Sequence, residues 1–138
     1  MKRIMKVICA IIENDKSEVL CTLNSNDMSF SSFWEFPGGI IKDGEVPEKA
    51  IVREINEKLN CKIRVNSLFS ATTYEYDEYI LNTMVAKCSI IEDNPSIKEY
   101  TKLLWLPIEY IPSLNWHPAT VPSVNKLIMK YKKNSISN

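Results

Sequence analysis

The residues best able to do chemistry together lie in one stretch, Gly38 to Cys61, which reads GGIIKDGEVPEKAIVREINEKLNC. A glycine pair opens it, a short loop ends in Glu45, and Arg53, Glu54 and Glu57 then fall within about one and a half turns of a helix. Hard divalent cations such as Mg²⁺ are held by carboxylate oxygens and commonly share their shell with substrate phosphates. Glu54 and Glu57, spaced i and i+3, would be neighbours on a helix surface. The same residues also suit a solvated helix face with Arg53 and Lys58 as ion-pair partners, and Glu54 and Lys58 have the favourable i, i+4 order for that. Context favours the metal: an aromatic strand runs into the Pro37-Gly38-Gly39 turn, a loop brings up Glu45, and the acids sit beyond it.

A helix must position these acids. Pro47 suits its first position, where a missing N–H costs nothing. Val46 before it is a poor N-cap, so tertiary packing must help to start the helix. Asn60 can take the left-handed conformation that ends one. Ile51, Ile55 and Leu59 form one apolar stripe, with Val52 beside them. At ~100° per residue, Ala50, Glu54 and Glu57 share a face away from that stripe, which is expected to be the exposed side.

Upstream, Ile4 to Ile12 is apolar except for Lys6, as expected of a strand buried on both faces. A turn at 14–17 and a second strand from Glu18 to Leu23 predict a hairpin over residues 4–23. Asn24 to Ser32 is expected to be a surface loop at the mouth of a pocket, and Phe33 to Phe36 a short aromatic strand. Downstream, Lys62 to Tyr76 and Tyr79 to Ile91 read as strands joined at Asp77-Glu78, with a turn at 92–95. Ser96 to Leu106 reads as another strand and Pro107 to Ile111 as a helical turn. Leu114 to Pro122 reads as a loop, and an amphipathic helix carrying Val124, Leu127, Ile128 and Tyr131 follows. Mixed strands with two helices point to an α+β or α/β sandwich.

The 138 residues are expected to form a single domain over 1–138. Lys plus Arg balances Asp plus Glu at 17 each, so no overall basic field exists to hold a nucleic-acid polymer. The apolar run at 7–12 is too short for a signal peptide or a membrane span. Four cysteines without a Cys-x-x-Cys pair are expected to be reduced and packed, and a single His disfavours zinc. Together these features predict a cytoplasmic setting and no membrane partner.

The stretch resembles a Nudix box, in which a Gly is followed after five residues by Glu and after seven more by Arg-Glu, an aliphatic residue, any residue, Glu-Glu, any residue, Gly and an aliphatic residue. Gly39, Glu45, Arg53, Glu54, Ile55 and Glu57 fit that spacing. The lead-in Trp34-Glu35-Phe36-Pro37-Gly38-Gly39 and the later Leu114-Asn115-Trp116-His117-Pro118-Ala119 resemble MutT-like members, so the resemblance runs over almost the whole chain. It implies an α/β/α sandwich with a mixed sheet. It also implies a Mg²⁺-dependent hydrolase, with Mn²⁺ as a substitute, that splits a diphosphate linkage in a nucleoside triphosphate or related nucleotide. By resemblance Glu54, Glu57, Gly38 and Glu99 would hold the metal, with Glu54 a candidate general base. Arg53 would orient the carboxylates, Glu45 would pair with Arg53, and Gly39 would shape the turn. Glu99 also reads as a surface acid beside Lys98.

Two positions depart from the box. Asn60 stands where Gly belongs, a mild change. Lys58 stands where the second Glu of the pair belongs, and an ammonium repels a metal rather than ligating it, though it could contact a substrate phosphate. In the pocket, Thr120 stands where relatives commonly read a base edge with Asn or Asp. A hydroxyl cannot offer the paired donor and acceptor of an amide. An arginine common at the end of the second strand is replaced by Leu23-Asn24. Trp116 and Thr120 are the candidate base contacts, and His117 is either a pocket-edge group or an exposed loop residue. Trp34, Phe36, Tyr74 and Trp116 itself could stack on a base or belong to the core. The rival expectation is a Nudix-like domain that binds a nucleotide or phosphorylated metabolite as a sensor with little turnover. Either form could be a monomer or a homodimer.

Overall fold

A computed structural model describes residues 2–23, 33–96 and 102–137, with side chains described as far as 134. In chain order the strands are β1 (Arg3–Ile12), β2 (Glu18–Leu23), β3 (Trp34–Glu35) and β4 (Gly38–Ile40), followed by helix α1 (Pro47–Leu59). Then come β5 (Lys62–Glu75), β6 (Tyr79–Glu92) and β7 (Lys102–Pro107), a 3₁₀ helix (Ile108–Ser113) and helix α2 (Val121–Ser137). One sheet has the order β4-β1-β6-β5 and the other β3-β2-β7. The first is mixed: β1 runs parallel to β6 and antiparallel to β4, while β5 and β6 form an antiparallel pair.

Strand β1 is the centre of the molecule because both of its faces are apolar. Ile8, Ala10 and Ile12 face α1, where Ile51, Ile55 and Leu59 are all fully buried. Ile11 points the other way, into a core with Phe36, Val85, Val124 and Leu127, which brings in α2. Side-chain alternation along a strand thus feeds two cores from one segment. Each of these buried aliphatic side chains contributes about 1.5–3 kcal/mol in transfer terms.

The expected hairpin over 4–23 does not form. The turn exists, with the Asn14 side-chain oxygen accepting hydrogen bonds from Lys16 N and Glu18 N, and a single bridge joins Glu13 to Val19. Beyond that the strands part into different sheets, because β4 and β6 occupy both edges of β1. The strand expected over 96–106 is seen as Lys102–Pro107, and residues 97–101 fall outside the described set. The expected loop over 24–32 also lies outside it.

The ends of α1 follow the local chemistry of the chain. Pro47 opens the helix, Val46 makes no side-chain cap, and Asn60 closes it at φ 54, ψ 40. The Asn60 N–H returns to the Asn56 carbonyl at 3.1 Å, and Ser96 N donates to the Leu59 carbonyl at 2.9 Å, so the last turn is anchored. All four cysteines are free thiols, as expected. Burial pushes the Cys9, Cys21 and Cys88 thiols up to about 12, so at neutral pH they are packing groups. Among the described residues, no helix is long and apolar enough to cross a membrane.

The left-handed position at the end of α1 gives a direct test. Asn60→Gly should leave stability unchanged or raise it, whereas Asn60→Val, with a branched Cβ at positive φ, should cost about 1–2 kcal/mol. Urea unfolding midpoints compare the two, and equal midpoints would contradict the assignment.

Candidate active site

The loop before α1 is built to present Glu45. Gly44 turns at φ +77, a conformation other residues rarely adopt, and Glu45 N donates to the Lys42 carbonyl at 2.9 Å. The Glu45 carboxylate then meets Arg53 side-on. Arg53 Nε donates to Oε2 at 2.7 Å and Nη2 to Oε1 at 3.0 Å, the paired geometry that only a guanidinium offers. Lys42 N adds a third bond to Oε1 at 3.0 Å. These hydrogen bonds, Arg53 first, hold the Glu45 carboxyl at about 2, below its ordinary 4.5.

Arg53 does more than pair with Glu45. Its Nη1 donates to Glu54 Oε1 at 2.9 Å and to Glu57 Oε2 at 3.2 Å, while Nη2 also reaches the Ile40 carbonyl at 3.1 Å. One guanidinium therefore joins three carboxylates and the end of β4. Its own pKa is raised, chiefly by the Glu45 bonds.

The acidic face expected to be exposed is largely covered. Ala50 is fully buried and Glu54 is only 7% exposed, while the Glu57 side chain remains about half exposed. The cause is the glycine pair. Strand β4 passes so close to α1 that a Cβ on Gly39 would lie 2.2 Å from Glu54 Oε2. A Cβ on Gly38 would lie 2.1 Å from the Ile8 carbonyl oxygen. With no side chain at 38 or 39, the strand backbone lies where solvent was expected.

Lys58 completes this corner. Its ammonium donates to the Gly38 carbonyl at 2.7 Å and pairs with Glu54 Oε2 at 3.3 Å. The Gly38 carbonyl and the Glu54 carboxylate therefore converge on a cation position, as hard-cation donors would, and the cation lying there is the chain's own. Among the described residues, no group of three His, Cys, Asp or Glu side chains converges as a metal cage. Glu99 lies outside the described residues.

A cavity of about 240 Å³ opens beside this corner. Gly38, Gly39 and Lys58 form one side, His117, Ala119 and Thr120 another, and Val7, Cys9, Leu81 and Thr83 from β1 and β6 the floor. Thr120 and Lys58 thus reach the cavity, but Trp116 does not. Its indole is 7% exposed, its ring lies 4.9 Å from that of Phe36, and its Nε1–H donates to the Ile111 carbonyl at 2.7 Å. A polar handle satisfied inside the core leaves Trp116 a packing residue, which corrects the expected base contact. His117 sits at the edge, with Nδ1 accepting from Ala119 N at 3.1 Å. Phe36 also touches the cavity from the core, whereas Tyr74 stacks with Tyr76 outside it.

Glu35 is a lining residue that sequence reasoning passed over. Burial raises its pKa and nearby Lys58 opposes the shift. The available signal was a lone acid in the aromatic run Phe33-Trp34-Glu35-Phe36. A larger groove of about 790 Å³ lies beside the loop, between Arg3, Lys6, Lys42 and Thr73, and includes none of Glu54, Glu57 or Lys58.

The glycine-led loop, the helix on a mixed sheet and the arginine that binds Glu45, Glu54 and Glu57 are the segment that resembles a Nudix box. A NUDIX domain model matches residues 3–126, and the chain belongs to the Nudix hydrolase family. It is 30% identical over 123 residues to an 8-oxo-dGTP diphosphatase of Escherichia coli (strain K12), covering 89% of this chain and 95% of that protein. It is 24% identical over 120 residues to a CTP pyrophosphohydrolase of the same organism, with 87% and 88% covered. A solution structure of a MutT protein from methicillin-resistant Staphylococcus aureus 252 superposes with a TM-score of 0.78 at 36% identity, covering 94% of this chain and 99% of that one.

Two predictions follow from this geometry. Gly39→Ala should force Glu54 out of its place and lower turnover by at least about tenfold while the far-UV spectrum is kept, in line with the loss that small misplacements cause. The depressed Glu45 carboxyl stabilises the fold fully above pH 4.5, and that contribution is lost as pH falls towards 2. Thermal midpoints of Glu45→Gln should therefore fall less steeply than wild type across that window, and parallel curves would contradict the pairing.

Proposed function

We propose that this protein is a divalent-cation-dependent nucleotide pyrophosphohydrolase that splits a nucleoside triphosphate, with water, into a monophosphate and pyrophosphate. The observation that carries this reading is the Glu54 carboxylate, fixed between Arg53 and Lys58 beside the 240 Å³ cavity. Arg53 sets the carboxylate's orientation, and Glu54 is the group positioned to take a proton from an attacking water. Lys58 is the cation placed to meet a substrate phosphate.

Glu54, Glu57 and the Gly38 carbonyl are the oxygen donors that would hold Mg²⁺ or Mn²⁺, with Glu99 a further proposed ligand. The donor set suits a hard cation once Lys58 has moved aside. Such an ion would neutralise charge building up on the phosphate oxygens. The floor and Thr120 form the nucleobase wall. Thr120 offers one hydroxyl, which favours a base other than the oxidised guanine named for the E. coli relative, and the cytosine nucleotide named for the other is the first to test. The partner is thus a nucleotide or another nucleoside diphosphate derivative. Four unpaired thiols, three of them buried, agree with a reducing, cytoplasmic setting.

A second reading, a nucleotide-binding domain with little turnover, draws on one observation: the ammonium of Lys58 already sits against the Gly38 carbonyl and Glu54. A panel of nucleoside triphosphates and nucleoside diphosphate derivatives with Mg²⁺ or Mn²⁺, followed by pyrophosphate and phosphate release, separates the two. The enzyme reading expects monophosphate and pyrophosphate from at least one nucleotide, and a loss in kcat of about 10²-fold or more in Glu54→Gln. Absence of turnover with a nucleotide-induced rise in Tm would establish the binder instead.

A further inference from the structure

The contacts of Lys58 carry a consequence for cation entry. Among the described residues, the ammonium meets two oxygens, the Gly38 carbonyl at 2.7 Å and Glu54 Oε2 at 3.3 Å. Both partners are also held from another side. The carbonyl belongs to a strand whose glycines lie against β1 and α1, and the carboxylate is held from behind by Arg53 at 2.9 Å. Lys58 lies one turn beyond Glu54 on α1, so its side chain folds back along the helix into this corner. The site therefore has fixed oxygens and a cation on a flexible four-carbon tether.

A divalent ion drawing on the same two oxygens would stand within a few ångströms of the ammonium. Two positive charges at that separation repel strongly, and the ammonium also takes up the oxygen lone pairs that the ion would use. Occupancy by one excludes the other. The neighbouring cavity includes Lys58 in its wall, so the side chain has space to leave the corner towards a ligand. An anionic phosphate in that cavity is the partner best able to draw it out.

We propose that Lys58 is a tethered cation that competes with divalent metal for the Gly38 carbonyl and Glu54, so that metal enters this corner only after a substrate phosphate has drawn the ammonium away. The inference rests on the pyrophosphohydrolase reading for its substrate, but the exclusion itself concerns the free protein. Binding is then ordered: nucleotide contact precedes tight metal binding, and the resting protein keeps Glu54 paired without an ion.

The test is Mn²⁺ binding to the nucleotide-free protein, followed by electron paramagnetic resonance or calorimetry, in wild type, Lys58→Met, and Lys58→Met combined with Glu54→Gln. Met keeps length and packing without the charge. Lys58→Met should bind Mn²⁺ at least tenfold more tightly than wild type, and Glu54→Gln should remove that gain. In wild type, a non-hydrolysable triphosphate analogue should raise the affinity of protein-bound Mn²⁺ above that of the analogue alone, and in Lys58→Met it should raise it less. Equal Mn²⁺ affinity in wild type and Lys58→Met would overturn the proposal, as would a gain that survives Glu54→Gln. Circular dichroism confirms that each variant is folded, and Lys58→Gln serves in place of Met if the latter is not. Hydrolysis by the wild type is scored separately. An inactive protein could still show the exclusion, and an active one lacking it would sink this proposal alone.

Discussion

The site depends on a single guanidinium. Arg53 receives no help from a neighbouring arginine, yet it links the loop through Glu45, the helix through Glu54 and Glu57, and the edge strand through the Ile40 carbonyl. These segments are separated in sequence by glycines and a loop, and the start of α1 has no side-chain cap to fix it locally. An ammonium carries its three donors on a single atom and cannot span partners this far apart, whereas a planar fork with five donors reaches all of them in one geometry. The register between strand and helix is thus set by hydrogen-bond directions as well as by packing. Apolar burial below, through Ile51 and Ile55, supplies the stability that holds the helix against β1.

Charge balance around that guanidinium explains the site's poise. Glu45, Glu54 and Glu57 meet Arg53 and Lys58, so three carboxylates face two cations, and Glu35 adds a raised-pKa acid at the cavity wall. Among the described residues, a highly anionic ligand entering such a corner meets two cations that are already paired with carboxylates. That pairing is a physical reason for a nucleotide to bring a cation with it. It also gives Lys58 a role in the resting protein, since Glu54 is too buried to be left without compensation.

Much of this was legible in the sequence, and the exceptions share one cause. The limits of α1 follow from Pro47 and Asn60, and the burial of β1 from Ile8 to Ile12 follows from the apolar run beyond Lys6, because both are local properties of the chain. The start of the strand, expected to be buried as well, is not, since Ile4 is 55% exposed. The pairing of β2 was misread because it depends on which edges of β1 are already taken by β4 and β6, a long-range fact. Glu54 was expected on an open face because helical-wheel arithmetic knows the angle of a residue but not what passes in front of it. The clue lay in Gly38 and Gly39, two consecutive residues without a Cβ, which allow a strand to come that close. Trp116, open between base contact and core in the sequence, falls on the core side for a similar reason: its indole N–H has an internal acceptor, the Ile111 carbonyl, five residues earlier in the chain.

The glycine pair divides the cavity into two walls with different freedom to vary. On the side of β4 and α1, no side chain can be added at 38 or 39 without meeting Ile8 or Glu54, so the strand part of that wall stays bare backbone. On the opposite side, Glu35, Thr83, His117 and Thr120 reach the same space with side chains that can be exchanged without disturbing Arg53 and its carboxylates. Room for change in ligand recognition therefore lies mainly on one side of the cavity, away from the glycine pair. A chain built this way can change what it recognises through single substitutions while its chemistry stays fixed.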